Sequence, residues 1–461
     1  MTDRSTRLLI VAAATAVVTV STAAIVWNNR VVEARAAGPA TWTVSAAEVH
    51  GGEHAVFLDP RSYWFSDDAG FIAAGDTVVT MAGLRNYETG QLEDIALAGL
   101  ASNDGTVRWR TPITGTADCT TAVVDGKLLC QTHNAETWET TLLTVDTDTG
   151  RTTESPTDWS VYAIVAADDA IYVLEGDPEA DDLRLHKGTP DDPDESWTTT
   201  VDMGDAYENI YGSRLLRVAE GAVVLDVGGE STGFDIDTGV QTWTRSLPDC
   251  GETLDPSLGG VVTRIRKDCS LSRILSSELV AADGEVLART DVAVAHYLDL
   301  DRPADPEVPV LLGDSAYDRA TGAKLWSSAD LVSAPIVPGS GRTAPNDTSG
   351  TASAIVGDVA LLRDSVRQTE GGLDLRTGRR LWERPITAGQ RVAAAVGTVA
   401  VSAYDNALIG LDVRTGDEVW RIALDAVVST DDPFATSGTV GEADDRVLFM
   451  TKDRLGGFRT P

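Results

Sequence analysis

The 461-residue sequence predicts an all-β fold, a β-propeller of four-stranded blades, from two observations: a hairpin signature that recurs along the chain, and the even spacing of its copies. Eight blades are expected, within a range of seven to nine, after an N-terminal transmembrane helix. The signature is an apolar residue, an acidic or polar turn, a Gly, and a short strand that usually carries Trp. It reads Asn103-Asp104-Gly105 to Trp109, Asp146 to Gly150, Asp235 to Gly239 and Trp243, Asp318 to Gly322 and Trp326, Asp374 to Gly378 and Trp382, and Asp412 to Gly416 and Trp420. Gly105 and Gly150 are 45 residues apart, as are Gly239 and Gly284, which suits a blade of about 40 to 45 residues. The 89 residues from Gly150 to Gly239 leave room for a weaker copy, and Leu183 to Trp197 supplies one with a widened acidic loop. Ala282-Asp283-Gly284-Glu285-Val286-Leu287 is a second, keeping the turn without Trp.

Each residue type in the signature has a physical task. Asp at the turn start accepts hydrogen bonds from the backbone two residues on, Thr does so more weakly, and Gly takes the φ > 0 position that closes a short hairpin. Trp and its neighbours Leu325, Leu381 and Val419 alternate along an outer strand. A single blade cannot bury its apolar faces, whereas blades stacked around an axis can. The C-terminal strands near Val447 to Met450 and Gly457 to Phe458 lack a Trp strand, and Thr41 to Ser45 reads as the missing outer one. Both ends of the chain would then share one closing blade, leaving no open edge. Literal counting gives nine blades; eight is the expectation because one weak copy need not be a separate blade.

The Asp-x-x-Thr-Gly-x-x-x-Trp pattern, read at Asp235 to Trp243, Asp374 to Trp382 and Asp412 to Trp420, resembles the repeat of the PQQ-like β-propellers. That group includes quinoprotein alcohol dehydrogenases and the outer-membrane assembly lipoprotein of the BamB type, and the resemblance covers roughly residues 66 to 421. The dehydrogenases hold a quinone between a Trp and a disulfide of two adjacent Cys, with calcium and an Asp base. No two Cys are adjacent here, and the signature Trp residues occupy packing positions, so no cofactor is expected, with Ca²⁺ the alternative for the acidic loops.

Leu8 to Val26 is free of charge and long enough to cross a bilayer, and Arg4 and Arg7 precede it. The predicted organisation is a cytoplasmic segment 1–7, a transmembrane signal anchor 8–27, a linker 28–40 and an extracytoplasmic propeller 41–461. Ala34-Arg35-Ala36 leaves cleavage as the alternative. Residues 1–40 hold four of the 37 basic and two of the 71 acidic residues, which leaves a net charge of −36 on the propeller. Nucleic acid and anionic lipid surfaces would be repelled.

Four Cys in an oxidising compartment predict the disulfides Cys119–Cys130 and Cys250–Cys269. A two-residue turn at Asp125-Gly126 would make the first pair diagonal neighbours. Catalytic motifs fail on context: Gly229-Glu230-Ser231-Thr232-Gly233 runs into a strand where a nucleophile elbow needs a helix. His50 and His54 lack the Glu placement of a zinc helix, and His133, His186 and His296 stand alone in different blades. The acids Asp177, Glu179, Asp181, Asp182, Asp191, Asp192, Asp194 and Glu195 read as one solvated loop, and residues 338 to 350 as a surface insertion.

The resulting expectation is a monomeric, non-catalytic binding or scaffold propeller at the bacterial cell membrane. Its partner would be an envelope protein or cell-wall polymer. The alternative is an extracytoplasmic enzyme with a loop-built site, including a divergent quinoprotein oxidoreductase.

Overall fold

In the computed structural model, strands follow one another as antiparallel meanders, each packed on the next. The structure describes residues 35–36 and 42–460, apart from 62–67, 87, 90, 115, 134–139, 158, 178–181, 203–214, 220, 228–229, 247–251, 258–259, 269–273, 293, 334–349, 388, 426 and 428–437. The predicted anchor 8–27, the 338–349 part of the insertion and the pair Cys250–Cys269 lie outside the described residues. Among the described residues no helix is long and apolar enough to cross a membrane.

Nine sheets form among the described residues, one more than the expected eight. They are blade 1 (55–112), blade 2 (116–156), blade 3 (160–202), blade 4 (216–246), blade 5 (252–290), blade 6 (310–327), blade 7 (352–385), blade 8 (394–423) and blade 9 (439–459 with 42–45). Both weak copies are blades of their own. The copy ending at Trp197 is the outer hairpin of blade 3, where Asp182–Gly188 pairs with Trp197–Asp202.

Nine apolar clusters join consecutive blades and close the circle. Val56, Leu97 and Trp109 of blade 1 meet Leu128 and Leu143 of blade 2, and the series runs on to Trp420 and Ile422 of blade 8 against Val447 and Phe449 of blade 9. Leu448 and Leu455 of blade 9 then pack on Phe57 and Leu100 of blade 1. Burial is thus placed between sheets, as a blade with two apolar faces requires. Closure is also a matter of backbone pairing: Trp42–Ser45 adds antiparallel to Arg454–Arg459, so strands from the two ends of the chain complete blade 9, as expected.

First strands of neighbouring blades approach one another, which makes them the innermost. Because each blade is a meander, the turns between its first and second and its third and fourth strands share one end of the ring. Glycines with φ > 0 gather there, including Gly126 and Gly357 in the first kind of turn and Gly150, Gly378 and Gly416 in the second. Connections between second and third strands, and from blade to blade, share the opposite end. We call these the turn face and the loop face.

Blade 6 departs from the pattern. It has three strands, and the segment that should be its innermost strand, Leu300–Pro303, pairs instead in parallel with Ala352–Gly357 of blade 7. This extra strand lies nearer the axis than blade 7 itself. Arg302 reaches from it to the Ala395 carbonyl of blade 8 at 3.4 Å and to the Glu442 carboxylate of blade 9. On the turn face the chain that follows is clamped by arginines of the repeat turns, Arg376 donating to Asp305 at 2.6 Å and Arg319 to the Val308 carbonyl at 2.7 Å. Desolvation raises the Asp301 carboxyl above its ordinary range, against the opposing pull of Arg319.

Candidate functional site

The repeat residues assemble one device several times over. At the turn beginning with Asp374, the Asp Oδ1 accepts from the backbone N–H and the hydroxyl of Thr377, both at 2.8 Å. Asp146, Asp235 and Asp318 do the same with Thr149, Thr238 and Thr321, and those hydroxyl bonds are the largest cause of their lowered carboxyl pKa values. The turn so fixed presents a carbonyl and a bare Gly to the preceding blade. Trp382 of blade 7 donates its indole N–H to the Val413 carbonyl of blade 8 at 2.9 Å, and a Cβ built on Gly416 would stand 2.4 Å from its ring. The same docking joins Trp109 to Thr147 and Gly150, Trp243 to Ala282 and Gly284, and Trp326 to Leu375 and Gly378. Trp197 docks likewise on Ile236 and Gly239, and Trp42 on Ser102 and Gly105, where the ring closes. Gly322 has no Trp to receive and lies against Leu287, while Trp420 covers Gly410 of its own blade.

Two expectations about the cysteines and acids need correction. Cys119 and Cys130 are bonded, and they are directly opposed, not diagonal. The tight turn is present, with Val124 bridged to Lys127, but two extra residues bulge from the first strand between Cys119 and Val124 and restore direct pairing. The acids read as a single loop are divided by a strand. Asp177 and Asp182 pair across one hairpin, whereas Asp191, Asp192, Asp194 and Glu195 lie beyond the far end of Asp182–Gly188. Among the described residues no group of three His, Cys, Asp or Glu side chains is placed to hold a metal ion.

The histidines divide between backbone and side-chain roles. His50 contacts the Asp94 carbonyl at 2.6 Å, and His296 contacts the Gly313 carbonyl at 2.8 Å, with burial pushing its pKa down to about 4. Burial also lowers that of His133. His186 lies 2.9 Å from the Thr198 hydroxyl and 3.4 Å from the buried Glu175 carboxylate. Ser231 sits fully buried on the strand Glu230–Phe234 and donates to Asp226, so it is no exposed nucleophile.

The site with room for a ligand was not read from the sequence. It is a pocket of about 40 Å³ at the loop-face end of blades 7 and 8. Five chain segments bring its polar groups together: Asp299 before the extra strand, Arg363 near the end of one strand of blade 7, Glu370 and Arg384 on the next two, and Arg391 on the link to blade 8. Arg384 is held by the Glu370 carboxylate at 2.7 Å and the Gly416 carbonyl at 2.6 Å, and its guanidinium stands 5.3 Å from the Trp382 ring centre. Arg363 donates to two carbonyls, those of Gln390 and Thr387. A smaller pocket of about 20 Å³ on the other flank of blade 7 is acidic, with Asp330, Asp364, Glu370 and Glu383 beside Arg367 and Arg380. No local sequence signal could have found these groups, since they are contributed singly by strand ends and linkers.

A family model described as outer membrane protein assembly factor BamB matches residues 313–397 and again 371–455, from blade 6 to blade 9. No curated protein sequence matches the chain. Among solved structures, BamB from Moraxella catarrhalis is similar at 12% identity and a TM-score of 0.41, covering 88% of this chain and 96% of that one. A computationally designed protein, Ika8, is similar at 11% identity and a TM-score of 0.46, covering 92% and 100%. A europium-containing methanol dehydrogenase is similar at 10% identity and a TM-score of 0.41, covering 91% and 85%. The chain is a β-propeller with nine sheets among the described residues, and its residues 313–455 match the BamB family model.

Proposed function

We propose that this protein is a membrane-anchored, extracytoplasmic propeller of the bacterial envelope that binds a protein or polymer partner without catalysis. The observation that carries the reading is the use made of the repeat Trp residues. Trp109, Trp197, Trp243, Trp326 and Trp382 each span the seam to the next blade with the indole N–H bonded to a turn carbonyl. A ring committed in this way is not available to stack on a quinone, and the Cys119–Cys130 bridge links two strands instead of adjacent residues. Arg302, reaching along the inner wall from beside blade 7 to blades 8 and 9, adds to the argument by occupying space at the axial side of these blades. The BamB description of the matching family model favours a protein partner. With a net charge of −36 on residues 41–461, that partner is expected to present basic or hydrogen-bonding groups, and attraction between exposed charges is screened beyond about 8 Å at physiological salt.

The full-length chain, solubilised from membranes, tests this in two arms. Pull-down from envelope extract should recover a partner more strongly at low salt than at high salt. A dye-linked dehydrogenase assay with added PQQ and Ca²⁺ should show no turnover. Dye reduction that depends on PQQ would refute the binding-protein reading.

A further inference from the structure

The arginines around the pocket between blades 7 and 8 are compensated unequally, and that inequality indicates a ligand. Three guanidiniums and two carboxylates line it, an excess of positive charge on a strongly acidic domain. Arg384 has Glu370 as counter-ion. Arg363 has none among the described residues, because both its acceptors are backbone carbonyls. It is half-buried, so its charge is neither fully solvated nor neutralised. Arg391 is 80% exposed at the mouth, with Asp299 as a loose partner at 3.8 Å, and is free to turn onto a ligand. The opposite wall contains Ser402, buried to 2% exposure and facing the pocket. Leu361, Leu362, Val392 and Leu411 supply the apolar part of the lining.

We propose that this pocket binds a carboxylate attached to an apolar group, the carboxylate received by Arg363 and Arg391 and the apolar body laid against Leu362, Val392 and Leu411. A carboxylate suits the site because it offers two acceptor oxygens to guanidinium donors, and charge-assisted bonds of this kind are about twice as strong as neutral ones. The enclosed space of about 40 Å³ has room for the carboxylate and leaves the apolar body toward the mouth. The assignment rests on the binding-protein reading and deepens it by naming a ligand class. The carboxylate has two sources, the C-terminus of a polypeptide and a free small acid.

Titration calorimetry on the full-length chain separates them. The probes are 3-phenylpropionate, its amide, and acetyl-Ala-Phe with a free or an amidated C-terminus. Saturable binding of at least one carboxylate is expected, with the matching amide weaker by about tenfold or more. The exposed position makes Arg391→Gln tolerable to the fold, and it should weaken the carboxylate by about tenfold. Arg363→Gln should do the same, with circular dichroism and thermal melting confirming that it folds. Arg421→Gln, on the outer strand of blade 8, should change nothing. Preference for acetyl-Ala-Phe over 3-phenylpropionate assigns the site to polypeptide termini, and the reverse assigns it to small acids. Equal binding of acid and amide, binding indifferent to both arginines, or no saturable binding by any carboxylate up to the solubility limit would overturn the proposal. None of these results bears on PQQ-dependent dye reduction, which alone decides whether the protein is a dehydrogenase.

Discussion

The seam between blades 7 and 8 and the seam between blades 2 and 3 solve the same problem differently. Blade 7 ends in Trp382, which bonds to Val413 and closes over Gly416. The outer strand of blade 2, Thr152–Pro156, carries no aromatic residue, and blade 3 presents a wide acidic loop where its neighbours have a Gly turn. Polar links substitute there: Lys127 pairs with Asp191, and the Thr144 hydroxyl donates to the Pro190 carbonyl. Trp and turn are absent together at this seam, so the repeating unit of stability is the contact between blades and not the blade. The seam from blade 5 to blade 6 adds to the point. Its turn glycine, Gly322, remains but faces Leu287, the Trp position four residues after Gly284 being Ala288, and the blade that follows gives up its inner strand to blade 7.

The sharpest way to break this comparison is to place a methyl group at a docking glycine. Gly416 has φ +75 with the Trp382 ring 2.4 Å from an added Cβ, whereas Gly126 has φ +73 with nothing within 4 Å. Both replacements by Ala incur left-handed strain of about 1 to 2 kcal/mol. Only Gly416→Ala also displaces a packed indole, for a further ~2 kcal/mol, so it should cost about 3 to 4 kcal/mol in all. Equilibrium denaturation of the two variants beside the parent chain measures the difference. Equal losses would show that the Trp dock contributes nothing beyond backbone geometry.

A somewhat smaller effect is expected in blade 2, which has no outer Trp and is cross-linked instead at its inner strands. The Cys119–Cys130 bridge, 11 residues apart in sequence, lies in the apolar seam with blade 1. Chain-entropy arguments give such a loop about 3 kcal/mol. The double replacement by Ser should lower the melting temperature of the whole ring, and reduction of the parent chain should reproduce it. A melting temperature unchanged by either treatment would remove the bridge from the stability of blade 2.

What the sequence makes legible follows the same division. The turn face is encoded locally, since Asp, Thr and Gly within five residues set each turn and a Trp four residues later finds the next one. Ring closure by Trp42–Ser45 was also legible, because a lone Trp strand at one end of the chain complemented a blade lacking it at the other. Leu300–Pro303 was not, because an inner strand has the same residue pattern whichever sheet edge it joins. The bulge before Val124 was hidden for a related reason: the turn Asp125-Gly126 fixes pairing only beside itself. The pocket was the least legible feature. Arg363 and Arg391 come together through the packing of blade 7 on blade 8, which no local motif records.

The smallest predicted effect concerns a half-buried carboxyl on the inner strand of blade 2. Desolvation raises the Asp118 pKa to about 7, opposed by the hydrogen bond from Gln131 and reinforced by the nearby negative charge of Asp59. The Gln131 amide donates to Asp118 at 3.4 Å, while its own buried Oε1 lacks a partner. A protonated carboxyl can turn donor to that oxygen, so the neutral acid suits the site better than the anion. An acid whose folded pKa lies above its unfolded value gives stability that is complete below the unfolded value, near 3.8, and is lost as pH rises through about 7. His296 acts in the opposite sense. Its pKa is pushed down from 6.5 to about 4, so its contribution is present above 6.5 and is lost as pH falls toward 4. The parent profile sums the two, and the difference from Asp118→Asn isolates the first. Between pH 5 and 8 the parent chain should lose about 2 kcal/mol relative to Asp118→Asn, since the window covers about two units of differential titration at about 1.4 kcal/mol each, reduced by the partial exposure of the group. Denaturant midpoints measured across that range for both chains provide the test, and parallel profiles would show that Asp118 ionises as freely in the ring as in the unfolded chain.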